Sequence, residues 1–391
     1  MQKIILYIFA FSTILFLSNC ATLNRKKVEN FYKKNMTSVK KEPFREEIGF
    51  YLVDGAIIIP VKIEGRTYDF LLTTVQPSYI TEEFAKELKL TSVIQDGDSF
   101  ANIPKISIGN VDFNANLVML SSCPFPKCGG FSGGVIGANI MRSATWKIDY
   151  ENRKIIITNE HKLPQNKHET IDFDIYADGT PFTNIHFGPY DYTSVSLSIS
   201  QYLELNLSDN YNSFMPSNQK YKGICYANKS KIDTFKGTTI PYIRFEGGLI
   251  LKNQKTIFMP KYYQSDNYVG NNFFKNYATT FDWNLKKIIL EPKEKLKEAN
   301  NDKSFGFTFS YYEGKIIIGE VVDESSAKEV NLQLYDQVLA LENLDLSNMT
   351  EDVFCHNTDI CSLLCRDEIT LKVKQKDTIK TVILKRKKMN F

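Results

Sequence analysis

The sequence has no apolar run long enough to cross a bilayer. The longest, residues 4–17 (IILYIFAFSTILFL), is short of the ~20 residues that a spanning helix needs. Net charge is also scarce: 48 Lys+Arg against 45 Asp+Glu leave +3 over 391 residues. Lysines are scattered among acids, so the concentrated basic face needed for non-specific nucleic-acid binding is missing, and no nucleic-acid partner is expected. There are four histidines, at 161, 168, 186 and 356, and none stands in a recognised nucleophile–base setting. The glycine-bearing stretches DGDSFAN (96–102) and FSGGVIG (131–137) lack a phosphate-loop lysine, and no cofactor is expected. Hydrophobic residues at 43% and charged residues at 24% exclude a disordered or collagenous chain.

What is present leans towards strands: 27 Phe and 21 Tyr, with β-branched residues in short runs. The length is too great for one compact core, so two or three domains are expected. At the N-terminus, Lys3 precedes the apolar run in the order of an export signal. The run ends in LSNC (17–20), which resembles the lipobox of bacterial lipoproteins, with Asn19 where a small residue is usual. The resemblance implies removal of residues 1–19 and lipidation of Cys20, and two or more acyl chains anchor stably. Ala21 after the cysteine implies the outer membrane, facing the periplasm or the cell surface. Residues 20–46 are polar and lysine-rich and read as a solvated tether.

Six cysteines remain after Cys20, an even number suited to disulfides in an oxidising envelope. Cys123 and Cys128 enclose PFPK, a loop that a local bridge could close. Cys225, Cys355, Cys361 and Cys365 have no pairing that sequence settles. The cluster CHNTDICSLLC (355–365) has zinc-ligand chemistry but matches no standard zinc spacing, so no metal is expected.

Two segments repeat each other without gaps: VIGANIMRSATWKIDYENRKIII (135–157) and YVGNNFFKNYATTFDWNLKKIIL (268–290). Gly137 meets Gly270, Asn139 meets Asn272, and Asp149 meets Asp282. Each reads as an apolar pair, a Gly turn, a short helix and two strands. This pattern resembles the end of a lobe in pepsin-like (retropepsin-type) aspartic proteases. The stretch GRTYDFLLTTVQPSYITEEFAKEL (65–88) resembles the start of such a lobe, where the family carries Asp-Thr-Gly. The resemblance covers residues 47–292 and implies a first lobe at 47–162 and a second at 163–293. Matching 73–84 with 192–203 places Thr73 and Tyr192 where the family has its catalytic aspartates. Neither side chain can act as the base of a two-carboxylate mechanism. Asp191 is the fallback acid, one residue out of register. Thr74 and Thr193 fall where the family has the threonine that clasps one lobe to the other. The hairpin ISIGNVDF (106–113) could fold over an interlobe groove or lie on the surface.

After a charged linker (291–304), FGFTFSYYEGKIIIGEVVDESSAKEVNLQLYDQVLALENLDL (305–346) resembles a PDZ domain, spanning 303–389. Asn331 and Tyr335 stand where the family has glycines. The resemblance implies that Phe305, Gly306 and Phe307 receive a peptide carboxylate, with helix 359–365 as one wall of the groove. The expected fold is therefore mainly β, two retropepsin-like lobes followed by a small PDZ barrel. The expected function is a membrane-anchored envelope lipoprotein, catalytically degenerate, binding a peptide or protein ligand such as a free C-terminus. One alternative is an active aspartic endopeptidase, separated from it by whether a carboxylate pair meets between the lobes; the other is an assembly lipoprotein in which neither groove is used.

Overall fold

The computed structural model describes residues 30–388 apart from 54, 96, 122–130, 189, 202–203, 209–220, 228–230, 260–266, 294–302, 356–357 and 365. The protein is mainly β. The two larger hydrophobic cores among the described residues are one drawing on residues from Phe44 to Leu290 and one from Phe305 to Leu384.

One pattern of strand pairing occurs twice in the body. In the first half, Arg66–Leu72 runs parallel to Gly134–Ile136, which is antiparallel to Tyr79–Thr81. That strand runs parallel to Val111–Ser121, which pairs antiparallel with Asp98–Ile108 and then Ser92–Gln95. In the second half, Tyr190–Leu197 runs parallel to Tyr268–Val269, which is antiparallel to Leu205–Ser208. That strand runs parallel to Ile250–Met259, which pairs antiparallel with Lys231–Phe245 and then Tyr221–Ala227. The central Gly134–Ile136 is buried at every residue, which is why it reads as an apolar run rather than an alternation.

The Gly turns seen in the sequence open two four-residue helices, Ala138–Met141 and Asn271–Phe274, with almost identical backbone angles at Gly137 and Gly270. The need for glycine is steric: a Cβ on Gly137 would overlap the backbone of Gln76–Ser78. Small polar ties also recur. Trp146 Nε1 donates to Met141 O at 2.8 Å, and Thr279 Oγ1 donates to Phe274 O at 3.0 Å. Asp149 accepts from the amides of Glu151 and Asn152, as Asp282 does from Asn284 and Leu285.

A six-stranded sheet joins the halves in the order Arg45–Gly49, Lys154–Thr158, Thr145–Asp149, Tyr277–Asp282, Lys287–Pro292, Glu169–Asp172. At its centre Lys147 lies opposite Thr280. Their spacing (280 − 147 = 133) equals that of the two Gly turns (270 − 137 = 133). Equivalent residues that face one another mark an approximate twofold axis through this pair. Lys147 Nζ meets Glu291 at 2.5 Å, tying a strand of each half.

The N-terminal segment departs from its reading as a tether. Residues 30–34 form a helical turn, Tyr32 and Phe44 are buried, and Arg45–Gly49 is an edge strand of the joining sheet. Phe31 and Tyr32 supply the aromatic face that docks on Phe100 and Leu117, a pattern too short to show as periodicity. Residues 30–46 of the expected tether thus belong to the body, and its earlier part lies outside the described residues. Cys20, Cys123 and Cys128, the signal region, and the side chains of Cys225, Cys355, Cys361 and Cys365 lie outside the described residues.

The C-terminal module pairs Phe307–Tyr312 with Lys315–Val322, and Gln337–Leu341 with Glu368–Gln375 and then Thr378–Lys385. It is not a separate bead on a linker. Gly223, Ile224 and Cys225 of the body pair with Val322, Val321 and Glu320, making one continuous sheet, and Ile224 packs against the module's core. Gly223 permits this approach, since a Cβ there would meet Val321 O and the Phe235 ring. Asn331 and Tyr335 both adopt positive φ, 55° and 68°, the backbone that glycine takes without cost.

Two outcomes follow from these contacts. Gly137→Ala should lower stability in urea unfolding by about 3 kcal/mol through overlap with fixed backbone. Gly65→Ala, at φ +84° in open space, should cost only the ~1 kcal/mol of a strained conformation. At the joint, burial pushes the Glu320 carboxyl up to about 7. The folded state therefore holds the proton more tightly than the unfolded chain. Stability is full below the unfolded pKa near ~4.3 and falls as pH rises towards 7, by up to about 3 kcal/mol. Glu320→Gln should be neutral at low pH and stabilising above neutrality, read as the difference between urea midpoints.

Candidate functional site

The approximate twofold axis brings one turn from each half to a common seam. Leu72 ends the strand Arg66–Leu72, and the next residue, Thr73, donates its amide to Ile136 O at 3.0 Å. In the second half Leu197 ends its strand, and Ser198 donates its amide to Val269 O at 2.8 Å. A second equivalence agrees: Ala138 N donates to Gln76 O and Asn271 N to Gln201 O. Thr73 therefore corresponds to Ser198, Thr74 to Ile199 and Val75 to Ser200.

Hydroxyl groups occupy this seam. Thr73 and Ser198 are fully buried. Thr73 Oγ1 lies 2.8 Å from Ser200 Oγ, which is 3.4 Å from Ser198 Oγ. Thr74 Oγ1 donates to Leu197 O at 2.5 Å and accepts from Ile199 N at 3.2 Å. This clasp is one-sided, because Ile199 has no hydroxyl to return it. Thr74 thus reaches backbone groups of the opposite turn, whereas Thr193 lies exposed on its strand.

Tyr192, Thr193 and Asp191 are elsewhere. Tyr192 lies within the strand Tyr190–Leu197, opposite Ile185, its ring stacked on Phe187 at 5.4 Å. Thr193 is exposed, and exposed Asp191 pairs with His186 Nδ1 at 2.5 Å. The corrected position, Ser198, is six residues beyond Tyr192. An even shift keeps every side chain on its own face of a strand, so alternation in YTSVSLSIS could not distinguish the registers. A bulge opposite Asn184, with Ser194 at φ +57°, adds to the ambiguity.

Among the described residues Asp282 and Asp336 are the least exposed acids and the Glu320 carboxyl is buried at the joint, and none of the three belongs to the seam. Asp282 holds the turn after the second-half strand and contacts His161 Nδ1 at 3.0 Å. Thr145 Oγ1 approaches the same ring nitrogen at 3.0 Å. A hydroxyl–imidazole–carboxylate relay needs its partners on opposite nitrogens, so this cluster is a structural tie. Asp336 caps the Gln333 amide in the C-terminal module. Residues 130–134 have the spacing Gly-x-Ser-x-Gly, but Ser132 precedes a strand, not a helix, and its Oγ faces the Asp69 amide at 3.4 Å. It lacks the strand–turn–helix setting of a nucleophile elbow. No cluster of metal-ligating side chains is found among the described residues. The hairpin 106–113 pairs by Ser107 with Lys62 and its turn meets Glu46 on the edge of the joining sheet, the surface arrangement of the two foreseen.

In the C-terminal module Gly306 has φ +82° and packs so closely on Ser325 that a Cβ would overlap it. Its amide donates to Ser304 Oγ at 3.0 Å, while Phe305 is buried and its carbonyl accepts from Ala327 N. Strand Phe307–Tyr312 is paired on one side only among the described residues. Helix Thr358–Leu364 flanks the same core, and Phe354 lies 6.5 Å from the Phe309 ring and 6.3 Å from that of Tyr311. The three residues expected to receive a carboxylate are therefore together, one of their amides already engaged.

No family model matches the chain, and no curated protein matches it. The geometry yields a test of the clasp. Thr74→Val keeps the shape but leaves Leu197 O and Ile199 N without a buried partner, at a cost of about 2 kcal/mol in urea unfolding. Thr74→Ser should recover most of that loss.

Proposed function

We propose that this chain is an envelope lipoprotein whose body is a duplicated, retropepsin-like aspartic-protease shell that binds peptides or proteins without cleaving them. A C-terminal PDZ-like module adds a second peptide groove. The recurring strand pattern and the Gly turns on a twofold axis support the duplicated reading. The observation that carries the loss of catalysis is the seam, where Thr73 and Ser198 stand at the equivalent turn positions with hydroxyls linked through that of Ser200. Peptide hydrolysis of this type needs two carboxylates sharing a proton, with pKa values split by their proximity. A hydroxyl cannot hold the negative charge of the base near neutral pH.

Binding does not need that charge. An extended peptide can add to a strand edge by backbone pairing, and Phe307–Tyr312 has no described strand on its outer side and lies beside an aromatic wall. The positive φ of Asn331 and Tyr335, at positions where the PDZ resemblance expects glycine, supports the module's assignment.

The experiment pairs turnover with binding. Casein and peptide libraries incubated between about pH 3 and 8 should show no pepstatin-sensitive cleavage. Peptides ending in a free carboxylate should bind the full chain, and amidating that end should weaken binding about tenfold or more. Pepstatin-sensitive cleavage by folded protein overturns the shell reading.

A further inference from the structure

The two halves differ at one equivalent edge. In the second half, Tyr221–Ala227 is covered on its outer side by Lys315–Val322 of the C-terminal module. In the first half the equivalent strand, Ser92–Gln95, ends its sheet, and no described strand pairs beyond it. Proteins usually guard such edges with charge, proline or a bulge. The stretch 91–95 reads TSVIQ, without charge or proline, and Val93 and Ile94 are 58% and 76% exposed. An exposed isoleucine is unremarkable alone. Two adjacent apolar side chains exposed on opposite faces of a strand with no described strand beyond it are a different matter.

What lies beside this edge selects its partner. Val93 is the cross-strand partner of Phe100. The Phe100 ring in turn meets Phe31 at 4.9 Å and Tyr32 at 6.3 Å. The sheet-ending strand is thus next to the helical turn at which the described chain begins. Only residues 21–29 separate Cys20 from the docked turn, and that length of chain spans at most roughly 30 Å, however it runs. Exposed Lys33 and Lys34 on the docked turn suit phosphate headgroups.

We infer that strand Ser92–Gln95 rests on the bilayer to which Cys20 is anchored, with Val93 and Ile94 at the headgroup–acyl boundary. This rests on the lipoprotein reading proposed above. Exposed Asp98, at the far side of the turn, limits the depth to the interface, where a carboxylate keeps its water. The contact fixes the body's orientation on the membrane, which a lipid anchor alone would not.

The test uses lipidated protein on vesicles. Trp146 and Trp283 are buried, so a tryptophan introduced by Ile94→Trp reports its own surroundings. Ile379→Trp, on an exposed position of the C-terminal module, is the control. Vesicles with brominated acyl chains should quench the Ile94→Trp protein several-fold more than the control. Protein that floats with the vesicles but shows equal quenching in both variants overturns the contact and keeps the anchor. Protein that does not float overturns the anchor and the contact with it. Emission of Ile94→Trp that is blue-shifted without vesicles, in a self-associated species, overturns the bilayer and assigns the edge to an added protein strand.

Discussion

The antiparallel pairing of Thr145–Asp149 with Tyr277–Asp282 is the constraint on which the body depends. Its register sets Lys147 opposite Thr280, and that choice alone places each half's remaining strands in mirrored sequence about the axis. Backbone hydrogen bonds make this join, so it is indifferent to which side chains stand at the seam. Trp146 and Thr279 illustrate the freedom. An indole and a hydroxyl make the same tie to a helix carbonyl because only a donor at that place is required.

That indifference explains how the seam can carry hydroxyls. Two carboxylates there would repel one another and lose hydration, a penalty that only a reaction would justify. Thr73, Ser198 and Ser200 are neutral and supply both donors and acceptors, so they satisfy each other in a buried place. Thr74 bonds to backbone groups of the opposite turn, while Ile199, at the equivalent position, has no hydroxyl to make the reciprocal bond.

Legibility varied along the chain for physical reasons. The Gly turns were readable because Gly137 is held by close backbone, a demand that tolerates no other residue. The second-half turn was misplaced from Ser198 to Tyr192 because alternation survives any even shift. The docked turn at residues 30–34 was invisible because its docking rests on two aromatic side chains among lysines. The joint between module and body was equally hidden. It is a backbone pairing of Gly223–Cys225 with Val322–Glu320, and nothing in either sequence names the other as partner.

The joining sheet also constrains how the chain can reach its native state. Its strands come from residues 45–49, 145–158, 169–172 and 277–292, so three of its five pairings join segments far apart along the chain. Loops of this length are costly to close before any contact rewards them, and folding slows accordingly. Neither half can bury its face of the sheet until the other is present, since the central pair contributes one strand from each. The body therefore matures as a whole, and a chain interrupted after its first half would carry an exposed strand edge at Thr145–Asp149 into whatever compartment held it.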